Sequence, residues 1–396
     1  MTLSIAAIAA VIALGAWVVL VLFRGAFWRA DQRLDGPFPD RDSWPGVVVI
    51  VPARNEAATI GRCVASLLAQ DYPGALSIVV VDDGSDDGTA AAARRAAAGS
   101  KRLSLVTAPP PEAGWTGKLW AVAQGLAYAE KVAPEAAFVL FTDADIEHDP
   151  QNLCRLVGKA EAGGLDLVSL MVLLRCRSAW ERFLIPAFIF FFQKVYPFPR
   201  VNDPERPEAA AAGGCMLVRR AALRQAGGVE SIRGRLIDDC ALGARIKRRG
   251  PIWIGLTGSV RSLRAHPRLE DMWNMVARTA FEQLGYSTAA LGGTVFGMAV
   301  LYLVPPAAAF AGLVAGDAVA GLAGLAAWSL MAFAYGPTVR LYGQPPWSVL
   351  TLPLAALLFT LMTADSARRH WKGLGGAWKG RSYGGPANGR RAGPGG

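Results

Sequence analysis

Apolar and polar positions divide the chain into three zones. Residues 3–23 carry no charge and are nearly all apolar, which at about 1.5 Å per helical residue spans roughly 30 Å of hydrocarbon. A middle zone alternates short apolar runs with stretches of helical period as far as about residue 260. The last third is apolar again over 291–314, 319–335 and 349–361. The first run predicts a transmembrane helix rather than a signal peptide. It lacks a basic leader and carries Arg24, Arg29 and Arg33 after it, which by the positive-inside rule places the middle zone in the cytosol.

In the middle zone strands are expected at 47–51, 78–81, 103–106 and 138–141, with helices at 57–70, 90–98 and 119–129. Continuous apolar strands with helices between them predict an α/β fold built on a parallel sheet covered on both faces. The stretch 31–45, with Gly36, Pro37, Pro39 and Pro45, reads as a linker. An aromatic-rich segment at 183–198 contains Pro186 and Pro197 and looks too short and interrupted to span. It has two readings, an interfacial helix at the bilayer or a core helix. Three apolar segments at the carboxyl end would put the basic, Gly-rich tail on the outside, against the positive-inside rule. Either one segment is re-entrant, with Pro305 and Pro306 as the place, or the tail tolerates the wrong side. Residues 373–396 are expected to be disordered.

The expected organisation is thus an anchor at 1–24, a linker at 25–45, a catalytic domain at 46–285 with the aromatic helix at 181–198 inside it, apolar segments at 286–364, and a tail at 365–396. Composition agrees: 53% of the 396 residues are hydrophobic, concentrated at the two ends. The formal charge of +10 flanks the apolar segments, which suits anionic lipid better than nucleic acid, for which there is no motif. Five cysteines with no CxxC pair read as reduced thiols of a cytosolic domain.

Chemistry is expected at the strand ends, where open α/β sheets bind ligands. The first strand ends in Val51-Pro52-Ala53-Arg54-Asn55-Glu56 and the second in Val81-Asp82-Asp83-Gly84-Ser85. A dehydrogenase would need a glycine-rich turn where PARNEA stands. The fourth strand delivers Asp143-Ala144-Asp145. Two carboxylates that close cannot be buried unpaired, and a Mg²⁺ or Mn²⁺ ion bridging a diphosphate would compensate both. Asp238 and Asp239 open a later helix, where an acidic pair serves either as a cap or as reactive groups. With three histidines and no HExxH or GxSxG, a hydrolase has no support.

Taken in order, PARNE, DDGSDDGT and DAD resemble family 2 glycosyltransferases of the GT-A fold over residues 46–285. The resemblance implies a nucleotide-sugar donor held by Pro52, Ala53, Asn55, Glu56 and by Asp82 or Asp83. It implies a divalent cation on Asp143 and Asp145, with Asp145 the more direct ligand, and Asp239 as general base beside Asp238. The position of GWTGK gives Lys118 two readings, a diphosphate contact or an ordinary lysine at a helix start. Arg278 alone matches a Q/RxxRW box of related enzymes, as a diphosphate clamp, and the missing Gln and Trp argue against a processive polymer synthase. His266 could add a metal ligand, though a lone histidine is more often structural. The single amino-terminal span, the FFF segment and WNMVARTAFEQLGYS are similar to the hopene-associated glycosyltransferases of bacteria and, more distantly, to ceramide glucosyltransferase. This implies a hopanoid or other isoprenoid lipid acceptor and a multi-pass protein of the cytoplasmic membrane. A polyprenyl phosphate acceptor and a non-catalytic GT-A-shaped scaffold are the alternatives.

Overall fold

The computed structural model describes residues 3–36 and 43–374, and the backbone of 377–378 and 381–382. Helix α1 (Ile5–Phe23) leads into strand β1 (Val47–Ala53), α2 (Ile60–Leu68), β2 (Leu76–Asp82), α3 (Thr89–Ala97), β3 (Leu103–Thr107), α4 (Gly117–Val132) and β4 (Phe138–Thr142). There follow β5 (Ile146–Glu147), α5 (Asn152–Ala162), β6 (Leu167–Leu173), α6 (Ala179–Val195), α7 (Phe198–Val201), β7 (Cys215–Arg219), α8 (Arg220–Gln225), α9 (Asp238–Lys247) and β8 (Ile252–Ser262). Seven residues of β1 are buried, and alternation sorts them: Val48 and Ile50 join one core, Val47, Val49 and Val51 the other, so helices cover both faces.

The sheet order is β3-β2-β1-β4-β7-β6-β8-β5. Strands β1 to β4 are parallel, but β7 runs antiparallel to both β4 and β6, and β5 antiparallel to β8. The sheet is therefore mixed, not parallel throughout as the apolar strands predicted. Burial on both faces makes a strand apolar whatever its direction, and direction matters here because Cys215 at the start of β7 pairs with Thr142 at the end of β4. That reversal brings the Gly213-Gly214 turn beside the DAD acids. Gly125 lets α4 lie close on the sheet, since a Cβ there would stand 2.7 Å from Ile50 and 3.0 Å from Val81.

Past the sheet come α10 (Leu269–Ala277), α11 (Ala280–Gln283), α12 (Thr288–Met298), a π-helical turn (Ala299–Leu303), α13 (Val304–Ala315), α14 (Ala318–Leu341) and α15 (Leu352–Trp371). Two short strands, β9 (Ala377–Trp378) and β10 (Arg381–Ser382), form a hairpin ladder. Among the described residues four helical stretches are long and apolar enough to cross a membrane: Ile5–Phe23, Thr288–Ala315, Ala318–Leu341 and Pro346–Trp371. Pro186 does not break α6, which runs through it behind a Ser178/Glu181 capping box. Leu184, Ile185, Ile189 and Phe190 of α6 are buried between the sheet and the apolar helices. Part of the expected linker is docked: Phe27 packs on Phe190, and Leu34 is buried where its neighbour Arg33 bridges to Leu256. Residues 37–42 and most of the expected disordered tail lie outside the described residues; the 365 boundary falls inside α15.

Candidate active site

The loops after β1 and β2 hold each other. The Asp83 amide donates to the Ala53 carbonyl (2.9 Å), the Asn55 amide to the Ser85 hydroxyl (3.0 Å), and the Ser85 amide to the Asp82 carboxylate (3.0 Å). The Glu56 amide donates to Thr89 Oγ1 (2.8 Å), and Asn55 adopts a left-handed conformation with φ 51° that tightens the turn. Asp82 and Asp83 are buried, and the Arg54 guanidinium caps the Asp83 carbonyl. These acids form a rigid ledge at one end of the sheet.

Beside that ledge a narrow cleft is lined by Pro52, Lys118, Thr142, Asp143, Gly213 and Asp238, with Leu119, Phe141 and Met216 behind. Lys118 sits one residue inside α4, whose start is fixed by the Thr116 side chain. Its ammonium bridges Asp143 (3.1 Å) and Asp238 (3.2 Å) and is held charged by Asp143, Asp238 and Asp239 against the cost of its burial. Lys118 thereby ties the β4 acids to the α9 acids. Asp239 differs from them. Its Oδ2 accepts from the Gly213 amide (2.8 Å) and its Oδ1 from its neighbour Cys240 (2.7 Å). Burial first, then the Asp238 charge, push its carboxyl up to about 6, while Lys118 and the two amides oppose the rise.

Asp145 is buried. Ser262 donates to its Oδ2 (2.9 Å), and so does Arg264 Nε (3.1 Å), whose Nη2 reaches Glu56. Burial raises its proton affinity, Arg264 lowers it, and Asp143 and Glu56 raise it again. Behind them a buried His148 lies 3.0 Å from Thr142 Oγ1 and 3.0 Å from Asn152, and burial lowers it to about 4, so it is a neutral structural group. Arg264 and Ser262 carry no sequence signal: they reach Asp145 only because β8 pairs with β5, a two-residue strand the sequence does not announce.

The expected residues fall into three groups. Lys118, Asp143, Asp238 and Asp239 meet at the cleft. Glu56 joins Asp145 through Arg264, and Pro52, Ala53, Asn55, Asp82 and Asp83 build the ledge. Arg278 does not join them: it is exposed at the end of α10, and its side chain makes no hydrogen bond or ion pair among the described residues. His266 uses its backbone amide to bind Glu181 (2.7 Å), while burial and Arg264 lower the proton affinity of its ring. Among the described residues no three His, Cys, Asp or Glu side chains cluster as a ready metal cage. Mg²⁺ and Mn²⁺ do not require one, because they take one or two carboxylates plus substrate phosphates. Asp143 and Asp145, two hard oxygen donors at one strand end, fit that description.

A mixed α/β sheet with its acids gathered at the ends of the first, second and fourth strands is the GT-A fold of nucleotide-sugar transferases. Residues 48–227 match the family model described as Glycosyl transferase family 2. A mannosyltransferase, PcManGT from Pyrobaculum calidifontis, solved with GDP-Man and Mn2+, is similar over 91% of this chain and 99% of its own, at 21% identity and a TM-score of 0.50. Mannosyl-3-phosphoglycerate synthase from Rubrobacter xylanophilus is similar over 67% of this chain and 85% of its own, at 19% identity and a TM-score of 0.40. No curated protein matches the chain. At these identities the likeness is one of fold.

Proposed function

We propose that this glycosyltransferase is a membrane-embedded, inverting enzyme that moves a sugar from a nucleoside-diphosphate donor onto a hydroxyl of a lipid, with a hopanoid or another isoprenoid lipid as the acceptor class. The observation that carries the reading is Asp239, a half-buried carboxylate with proton affinity raised to about 6, at the edge of the cleft where Lys118 gathers the other acids. An ordinary aspartate near 3.9 would be a poor base toward an alcohol. Asp239 takes the hydroxyl proton as the acceptor oxygen forms its bond to the anomeric carbon, and the bond from that carbon to the diphosphate oxygen breaks with inversion. The proton stays on Asp239 and the negative charge leaves with the nucleoside diphosphate.

The ledge of Asp82 and Asp83 binds the nucleoside, and Lys118 faces the diphosphate from the start of α4. Asp143 and Asp145 would hold a divalent cation, which when bound neutralises the leaving diphosphate. Raised basicity also selects the acceptor. A phosphate, with a second pKa of about 6, is already ionised and needs no base, whereas a hydroxyl does.

Support for a lipid comes from the acceptor side. The Leu236 amide, two residues before Asp238, donates to Glu282 of α11 (3.3 Å), and α11 packs on the apolar α15. Tyr196 at the end of α6 bonds Gln283 (2.9 Å) on the same border. Arg24, Arg29 and Arg33 after α1 favour a catalytic domain on the cytosolic side of the cytoplasmic membrane. The test is to incubate membranes holding the full chain with a panel of radiolabelled nucleotide-sugars and Mn²⁺, then extract lipids. Label in the lipid phase, lost in Asp239→Asn, is the expected result; label only in water-soluble products would overturn the lipid acceptor.

A further inference from the structure

The four described helical stretches that are apolar enough to cross a bilayer are not placed alike. Helices α1, α13 and α14 pack on one another as a bundle. At one end of it the Ser4 hydroxyl meets Asp317, which caps α14, so the start of α1 and the turn from α13 to α14 share a level. At the other end α1 and α14 return to the catalytic domain, and the π-helical turn before α13 meets it through Tyr302, whose hydroxyl accepts from Lys194 of α6 (2.9 Å). Arg24, just past α1, donates to the Lys194 and Val195 carbonyls of α6 (3.3 and 3.1 Å). Trp17 of α1 donates to the Leu301 carbonyl (2.7 Å), Thr338 of α14 meets Gln193 of α6 (3.4 Å), and Tyr342 takes the Leu174 amide (3.4 Å).

Helix α15 departs from this pattern. The chain enters it from Gln344, which touches Cys176 of the catalytic domain (3.5 Å). Midway, Phe359 packs on Phe188 and Phe191 of α6, with ring centres 6.4 and 5.2 Å apart. Near its end Asp365 accepts from Trp273 Nε1 (2.8 Å) and Ser366 from the Phe281 amide (3.0 Å), both on the domain-side helices α10 and α11. A fourth crossing antiparallel to α14 would lie along it and carry Trp371 up to the level of Asp317. Instead the entry, the middle and the end of α15 all touch the catalytic side.

We infer that α15 is not a crossing: it lies along the catalytic-side surface of the bilayer, so the chain crosses three times and its basic end emerges on the side of the active site. This rests on the reading of the protein as membrane-embedded. The face that α15 turns away from the protein supports a lipid contact. Leu354, Leu357 and Leu361 recur at helical spacing along it and are exposed, as is Leu350 in the 3-10 turn just before it. Charge agrees as well. With three crossings, Arg24, Arg29, Arg33, Arg340, Arg368, Arg369 and Lys372 all face one side, and the turn on the other carries only Asp317. The conflict between three apolar carboxyl-terminal segments and a basic tail disappears, and α15, not the Pro305-Pro306 pair, is the segment that fails to cross.

The test uses the full chain in intact cells and a membrane-impermeant maleimide. The five native cysteines all lie in the catalytic domain and mark its side. Ala318→Cys marks the turn between α13 and α14, and Lys372→Cys the end of α15; both positions are exposed. Ala318→Cys should label on intact cells, and Lys372→Cys only after permeabilisation, with the native thiols. Labelling of both variants on intact cells would make α15 a fourth crossing and overturn the inference. Labelling of Lys372→Cys and native thiols without Ala318→Cys would reverse the proposed orientation while keeping the three-crossing count. Failure of Ala318→Cys to gain accessibility in either state relative to the native chain would remove the membrane-spanning bundle, and the inference with it.

Discussion

Two acidic pairs face each other across the cleft, and their surroundings make them different reagents. In each, one member is partly open and bonded to Lys118: Asp143 on the β4 side, Asp238 on the α9 side. The other two members, the buried Asp145 and the half-buried Asp239, part company. Asp145 is met by a guanidinium, Arg264, which also neutralises Glu56. Asp239 is met by two backbone amides, and the cation that lowers its proton affinity is the shared Lys118. A carboxylate beside a fixed cation is suited to holding positive charge or a metal in its place, whereas one held by neutral donors beside another carboxylate retains affinity for a proton. Residue type does not distinguish the pairs; the partner does.

The comparison breaks most sharply at Asp239. Asp239→Asn keeps the shape and removes the basicity, so transfer should fall at least about a hundredfold while donor binding by calorimetry stays near wild type. The wild-type kcat/KM should fall as pH drops through about 6, where the carboxyl gains its proton. Because the folded protein favours the protonated form, stability from this group is present below the unfolded value near 3.8 and lost as pH rises through about 6. Asp239→Asn should therefore melt no lower than wild type at pH 7.5. A wild-type rate in this variant would leave the α9 pair as a helix cap.

Lys118→Met should cost on the order of 10- to 100-fold in kcat/KM, the worth of one charge-assisted hydrogen bond of about 1.5–3 kcal/mol. Since Lys118 lowers the Asp239 pKa, its loss should also move the acid limb of the profile above 6. No movement of the limb would mean that the two acidic pairs are not electrostatically joined.

Arg264→Gln leaves Asp145 and Glu56 facing each other without their cation. The expected loss is about 1–2 kcal/mol, less than the 3–5 kcal/mol of a fully buried pair because the guanidinium is 36% exposed. Mn²⁺ should restore part of the melting temperature in this variant more than in wild type, and Asp145→Ala should lose divalent-stimulated donor binding. Equal Mn²⁺ effects in wild type and Arg264→Gln would separate Asp145 from the cation site. The smallest change is expected for Asp238→Asn, a rate loss of about tenfold or less. Its limb should move below 6, opposite to Lys118→Met, because Asp238 raises its neighbour.

Local chemistry determined much of this protein. The period of apolar positions placed β1 to β4 and the helices between them, because burying those side chains requires those elements. The strand-end acids Asp82, Asp83, Asp143 and Asp145 and the helix-start pair Asp238 and Asp239 were legible as motifs, since each is a short run at an element boundary. What the sequence left open needed partners distant along the chain. The reversed β7 that sets Gly213 against Asp239, and the β8–β5 pairing that brings Arg264 to Asp145 across more than a hundred residues, are long-range registers that no local pattern encodes. The course of α15 is of the same kind. Hydropathy measures whether a helix tolerates lipid, and only its contacts with Trp273, Phe281 and α6 decide whether it crosses the bilayer or lies along it.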